Sequence, residues 1–241
     1  MLDLSRIRAI TLDLDDTLWP IWPTIERAEK ALDQWLGAHA PTTASLFANA
    51  AARHDIREHV MRSRPDLHHD LSAIRREAIR VALYRAGDDP LLADAAFDVF
   101  FAERQRVTFY EDALPALEFL AARFPLVALS NGNADVERVG LGAYFKAGLS
   151  ARGFGVGKPD ARIFRAAAEA AGAAPEEVLH IGDDAALDVI GALGAGMQTV
   201  WVNREDQLWT HADQPHETVT TLTELTALWS QGGESFERLE S

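Results

Sequence analysis

Three short apolar runs in this chain stop abruptly at residues able to bear chemistry, and their recurrence constrains the fold more than any other feature. Ile7-Arg8-Ala9-Ile10-Thr11-Leu12 runs into Asp13-Leu14-Asp15-Asp16-Thr17. Leu126-Val127-Ala128-Leu129 runs into Ser130-Asn131-Gly132-Asn133, and Val178-Leu179-His180-Ile181 into Gly182-Asp183-Asp184. Each run has the length of a buried strand, the first covering 7–13. Helical stripes lie between them: Leu114, Leu117, Leu120, Ala121 and Phe124 in one, and Ile163, Phe164, Ala167 and Ala170 within 161–171. A further helix is expected over 185–193 and a further strand at Thr199-Val200-Trp201-Val202. Strands that alternate with helices imply a parallel sheet covered on both faces. The expected class is therefore α/β, a Rossmann-like doubly wound core. Ligands in such sheets bind beyond the carboxyl ends of the strands, so the three polar stops converge on one edge.

Between the first run and the rest lies a block of different texture. From about 24 to 107 the apolar spacing is helical, with Ile25, Ala28, Ala31, Leu32 and Trp35 on one stripe. Thr24 is the expected cap of a helix through Leu36, because Trp19-Pro20-Ile21-Trp22-Pro23 carries two prolines that interrupt regular structure. Pro41-Thr42, Pro65-Asp66 and Asp89-Pro90 open three more helices. The expectation is an all-helical, four-helix insertion at 19–107, splitting a core made of 1–18 and 108–241. The polar tail from Gln231-Gly232-Gly233 is expected to fray.

Composition narrows the chemistry. With 23 Lys+Arg against 37 Asp+Glu the formal charge is −14. Nucleic acid needs a basic surface, so this charge argues against it as the main partner. A small phosphorylated metabolite needs only local positive groups. There is no cysteine, which removes disulfides, thiolate metal sites and Cys nucleophiles. No run approaches the ~18 apolar residues needed to span a bilayer, and the N-terminus lacks a signal-peptide pattern. A cytoplasmic monomer or homodimer is expected.

Four or more carboxylates gathered at one sheet edge repel one another unless a cation joins them. Oxygen ligands without thiolates suit a hard ion, most simply Mg²⁺. The pair Asp13 and Asp15 divides naturally into a nucleophile and an acid/base, although an Asp-x-Asp after a strand also serves as a solubilising turn or a helix cap. Ser130 with the neighbouring backbone N–H groups suits phosphoryl oxygens, although Ser and Asn also open turns. Lys158, one of three lysines, lies in Gly157-Lys158-Pro159-Asp160 just before a helix. It suits the balancing of a carboxylate and a phosphate, or else it is a surface lysine at a helix start. Asp183, Asp184 and Asp188 make a second acidic group, of which the helix dipole explains one member comfortably.

Taken in order, Asp13-Leu14-Asp15-Asp16-Thr17-Leu18, Ser130-Asn131-Gly132, Gly157-Lys158-Pro159-Asp160 and Gly182-Asp183-Asp184 with Asp188 resemble the haloacid dehalogenase superfamily of phosphohydrolases. The resemblance implies Asp13 as nucleophile and Asp15 as acid/base, with Thr17 in the same catalytic turn. It implies phosphate binding by Ser130 and Lys158, with Asn131 and Gly132 beside them. It implies Mg²⁺ held by Asp13, Asp183 and the Asp15 main-chain carbonyl, with Asp188 supporting the metal and Asp184 as a further candidate. The insert matches a type-1 helical cap, a lid over the substrate. Leu12 to Trp19, Ser130 to Ala134, Leu141-Gly142-Ala143-Tyr144-Phe145 and His180 to Asp184 are also similar to bacterial phosphatases of flavin mononucleotide and 5-amino-6-(5-phosphoribitylamino)uracil. So is the stretch Asp66 to Asp70 with Ile74-Arg75-Arg76.

The alternatives are a phosphatase of nucleotides or sugar phosphates, a phosphomutase, a two-carboxylate glycosidase, and a silent ligand-binding protein. The founding dehalogenases lack an acid two residues after the nucleophile, so Asp15 disfavours their chemistry: a leaving alkoxide needs a proton and a halide does not. Trp19 and Trp22 are candidates to stack on a planar substrate ring, or else to wedge the junction with the insert. His68 and His69 point about 100° apart on a helix and do not chelate one ion easily. Trp209 and His211 receive no role.

Overall fold

In a computed structural model the chain is described over residues 1–237. It divides into two compact units, one of residues 1–20 with the segment from Phe109 onward, the other of Ile21–Thr108. Among the described residues no helix is long and apolar enough to cross a membrane.

The first unit begins with β1 (Ala9–Leu12) and ends its opening segment in the turn after Asp13. In the second unit come α1 (Ile21–His39), α2 (Pro41–Phe47), α3 (Ala50–Ser63), α4 (Leu71–Ala86) and α5 (Ala93–Arg104). The first unit resumes with α6 (Ala113–Ala121), β2 (Leu126–Ser130), β3 (Ala147–Ser150), α7 (Ala151–Phe154), α8 (Ala161–Ala171) and β4 (Val178–Gly182). A π-helical turn (Ala185–Ile190), α9 (Gly191–Ala195), β5 (Gln198–Val202), β6 (Glu217–Val219) and α10 (Leu222–Glu237) complete it. The tail expected to fray starts inside α10, and its last four residues lie outside the described ones.

The core is an α/β, Rossmann-like fold. Its strands run in the order β3-β2-β1-β4-β5-β6, every pair parallel. Parallel sheets bury both faces, which is why β1, β2, β4 and β5 are buried at every position. Ala9, Val127, Leu129 and Val178 pack with Ile163, Phe164 and Ala167 of α8 and Ala192 of α9. Residues of the opposite parity, Ile10, Leu12, Leu126 and Ala128, are equally buried, so the second face is covered too. Because the chain leaves β1 for β2 on one side and later returns to β4 on the other, the switch point lies at the carboxyl ends of β1 and β4.

The expected strands missed β3 and β6. Ala147-Gly148-Leu149-Ser150 and Glu217-Thr218-Val219 are short edge or near-edge segments with little apolar signal, and they exist because a neighbouring strand offers hydrogen bonds. In α6 the buried stripe is Ala113, Ala116, Leu117 and Leu120, while Leu114 is exposed.

The second unit holds five α-helices rather than the four expected. Asn49 accepts from the Ala51 and Ala52 amides and starts α3 where a single helix from Pro41 was expected. Pro65 opens only a 3₁₀ turn, Pro65–Leu67, and Asp70 caps α4 instead. Thr24 is not a cap: α1 begins at Ile21, Pro23 sits in its first turn, where no amide proton is needed, and Thr24 is buried. Leu32, Leu36, Phe47, Ile79, Leu83, Phe97 and Phe100 belong to this unit's own core. Arg75 pairs with Glu29 at 2.5 Å and lies 3.8 Å over the Phe100 ring. His68 meets the Met61 carbonyl at 3.0 Å.

Gly191 marks the tightest approach between α9 and α8. A methyl group there meets Phe164 at 2.7 Å and the Pro159 backbone at 2.9 Å, whereas Gly194, one turn on, has open space around it. Gly191→Ala should cost about 1–3 kcal/mol through overpacking, and Gly194→Ala should gain up to about 1 kcal/mol from helix propensity. Urea unfolding of the two variants checks the pair.

Candidate active site

The sheet delivers the site residues in register. Thr11 of β1 lies opposite His180 of β4, so the residues that follow, Asp13 and Asp183, leave the sheet side by side. Ser130 ends β2, the other neighbour of β1. Lys158 arrives on the loop before α8, where the Lys158–Pro159 bond is cis.

At the centre, the buried ammonium of Lys158 bridges Asp13 Oδ1 and Asp188 Oδ1, each at 2.5 Å. Carboxylate oxygens of Asp13, Asp183 and Asp188 lie within 4.8 Å of one another. Asp188 accepts from three groups: Lys158, His180 Nε2 at 3.0 Å and the Asp184 amide at 3.0 Å. Burial opposes its ionisation, but Lys158 and the His180 hydrogen bond overcome it and hold Asp188 at about 2. Asp13 goes the other way: burial, helped by Asp188 and Asp183, pushes it well above the usual carboxylate range despite Lys158. Burial and Asp188 push Asp183 up to about 7, against the Thr17 hydroxyl that donates to it at 2.8 Å. Burial disfavours the Lys158 charge, yet Asp13 and Asp188 outweigh it and raise its pKa.

Ionised together, three carboxylates around one ammonium carry a surplus of two negative charges, which is why burial pushes two of them toward the neutral form while no cation is bound. That surplus, with an all-oxygen donor set, is what a hard divalent cation fits. Asp184 takes no part: its carboxylate is exposed and accepts from the Ala186 and Leu187 amides, capping the π-helical turn. Of the carboxylates expected at the metal, that of Asp184 lies outside the acidic cluster, where helix-start amides engage it. The turn after it carries Asp188 back under the cluster, close to Gly182, where a side chain at position 182 would displace the Asp188 carboxyl group.

Ser130 is buried, and its oxygen accepts from the Gly132 amide at 2.9 Å. A hydroxyl that accepts one bond still has its proton to donate. Asn131, expected at the substrate, instead clamps the Lys158 backbone: its Nδ2 donates to the Lys158 carbonyl at 2.8 Å and its Oδ1 accepts the Lys158 amide at 2.7 Å. Its amide group is thus committed to placing the lysine. Trp19 is 0% exposed and offers no face for stacking; its indole donates to Asp15 Oδ1 at 2.9 Å. Trp22 belongs to the other unit, on the first turn of α1, and is 71% exposed.

Four supporting residues were not anticipated. Burial holds His180 below its ordinary pKa. A neutral ring facing a carboxylate through Nε2 carries its proton there, so Nδ1 accepts from the Thr11 hydroxyl at 2.8 Å. Both residues are polar side chains inside otherwise apolar strands, which was the available signal. Trp201 donates to the Asp183 carbonyl at 2.7 Å and meets Trp209 edge-on. Arg204 donates to the Thr17 carbonyl at 3.0 Å and grips Asp112 with both terminal nitrogens, and Asp112 in turn accepts the Leu222 amide. Nothing local in the sequence marks these last two.

The model of a family described as haloacid dehalogenase-like hydrolase matches residues 7–196. The chain is 36% identical over 233 residues to the 5-amino-6-(5-phospho-D-ribitylamino)uracil phosphatase YigB of Escherichia coli (strain K12), covering 93% of this chain and 97% of that relative. It is 40% identical over 136 residues to a phosphoserine phosphatase of Thermus thermophilus, covering 54% and 55%. A crystal structure described as a 2-haloacid dehalogenase from Pseudomonas syringae pv. Tomato DC3000 superimposes with a TM-score of 0.88 at 36% identity, covering 93% of this chain and 99% of that one.

The raised carboxylates set a pH dependence for the cation-free protein. Asp13 and Asp183 hold protons in the folded state that they lose when unfolded, so stability falls as pH rises through their folded values. His180, whose pKa is lowered, contributes in the opposite sense only below about 6.5. EDTA-treated protein should therefore show a melting temperature that falls as pH rises from about 6.5 through about 7, where Asp183 gives up its proton, measured by calorimetry.

Proposed function

The chain belongs to the haloacid dehalogenase-like hydrolases, and from that membership we propose a Mg²⁺-dependent phosphomonoester hydrolase that works through an aspartyl phosphate on Asp13. The enzyme is a phosphatase; the residue roles, the metal and the substrate are this reading. One observation carries it above all: Lys158 joined to Asp13 and Asp188 at the switch point of a parallel sheet.

In the first step a carboxylate oxygen of Asp13 attacks phosphorus. The ester P–O bond breaks, its electron pair goes to the departing oxygen, and Asp15 gives that oxygen a proton, so an alcohol leaves. In the second, water attacks phosphorus, its proton goes to the Asp15 carboxylate, and the bond to Asp13 breaks to release phosphate. Lys158 and the Ser130 hydroxyl hold phosphoryl oxygens through charge and hydrogen bonding. Thr17 keeps Asp183 in place. Asp13, Asp183 and the Asp15 main-chain carbonyl would hold Mg²⁺, with Asp188 in support; the ion supplies charge neutralisation as the phosphoryl group transfers.

For substrate, the likeness to YigB over 93% of the chain supports 5-amino-6-(5-phosphoribitylamino)uracil, and the motif resemblance adds flavin mononucleotide. The dehalogenase description of the P. syringae structure favours a second reading. Asp15 weighs against it, because halide departs without a proton.

Asp13→Asn should lower phosphate release from an aryl phosphate by roughly 10³-fold or more with an unchanged circular dichroism spectrum, and EDTA should stop the parent enzyme until Mg²⁺ is restored. Retained turnover in Asp13→Asn removes it as nucleophile. In a panel of flavin-pathway phosphates, nucleotides, sugar phosphates and 2-chloropropionate, the flavin-pathway phosphates should lead in kcat/KM and no chloride should appear. Chloride release at a comparable rate turns the reading to dehalogenation, and sugar phosphates in the lead overturn the substrate.

A further inference from the structure

We propose that Trp19 is a positioning residue for Asp15, acting through its indole N–H to fix which carboxyl oxygen exchanges a proton with the leaving group; the proposal rests on the acid/base reading of Asp15. The geometry is built, not incidental. Asp15 and Trp19 pair across a tight turn, and the Asp16 amide donates to the Trp19 carbonyl at 2.7 Å. Asp16 adopts a left-handed backbone with φ of 57° to close that turn. The Leu18 amide donates to Leu14, and the Tyr110 amide to Leu18, on either side of it. The ring itself is fully buried and meets Phe109 edge-on, centroids 5.7 Å apart.

A buried indole needs an acceptor, and this one takes Asp15 Oδ1 at 2.9 Å. An N–H donor is best received by the carbonyl oxygen of a carboxylic acid, so when Asp15 is protonated the proton belongs on Oδ2. The indole thus distinguishes two oxygens that are chemically equal in a free carboxylate. Without it Asp15 loses the donor that tells its two oxygens apart, and only one of the two proton placements serves the departing oxygen. As the ester bond breaks, the P–O electron pair moves to the leaving oxygen, and the Oδ2 proton follows it.

Proton donation matters in proportion to the basicity of the leaving group, which gives a test that a purely structural role does not imitate. The release of phenols and alcohols from aryl and alkyl phosphates of increasing leaving-group pKa is followed as kcat/KM and in single turnovers. Trp19→Phe keeps the ring and removes the N–H. The loss should be about threefold or less for 4-nitrophenyl phosphate and rise to about thirtyfold or more for alkyl phosphates. An isosteric 3-benzothienylalanine at position 19, with sulfur in place of the N–H, should give the same slope, and it serves if the phenylalanine variant folds poorly. Phe109→Leu, which loosens the same packing and leaves the N–H, should lower all esters by one factor. An even loss across the series in Trp19→Phe, no loss, or a matching slope in Phe109→Leu overturns the proposal. Asp15→Asn separates the two levels: it should show the steepest slope, and an even loss there sinks the acid/base reading itself and the proposal with it.

Discussion

The ammonium of Lys158 lies between two buried carboxylates, and the rest of the site follows from the need to make that arrangement tolerable. Charges removed from water require partners and filled hydrogen bonds. Here Asp188 is satisfied on both oxygens by Lys158, His180 and the Asp184 amide. Asp13 and Asp183 are not satisfied to the same degree, and burial pushes both toward the neutral form. The site is thus divided into one saturated acid that anchors and two acids that still seek positive charge. The Asn131 clamp on the Lys158 backbone places the anchor's counter-charge from a different strand end.

Much of the core was legible because its signals are short-range. An apolar run ending in acids identifies a parallel strand and the end at which a ligand sits, so Asp13, Ser130 and Asp183 could be read without knowing the sheet order. Lys158 was legible through scarcity and its place before α8. What escaped notice depended on partners distant in sequence. β3 and β6 need a neighbour's hydrogen bonds to be strands at all. Asp184 and Asp188 are the same residue type four apart, and only the π-helical turn decides that one caps while the other turns inward. Trp19 carried two readings in the sequence, a face for stacking or a wedge at the junction with the insert; its full burial and its hydrogen bond to Asp15 come from tertiary packing that no local signal announces.

Likeness and chemistry speak at different resolutions in this molecule. A TM-score of 0.88 to a structure described as a dehalogenase, beside 36% identity to a phosphatase, shows one scaffold serving names with different leaving groups. Folds do not choose between such reactions; side chains do. On the proposed mechanism the choice turns on Asp15, one carboxylate two residues past Asp13.

Arg204 ties the turn that carries Thr17 to Asp112, and Asp112 ties both to the first residue of α10. The acids near the start of the chain are therefore braced by residues synthesised about 190 positions later. A nascent chain can pair its early strands while this brace is still missing. Full order at the acidic turn is then a late event in folding, so a ribosome-bound fragment ending before residue 204 would own every proposed reacting group and still hold its first turn loosely.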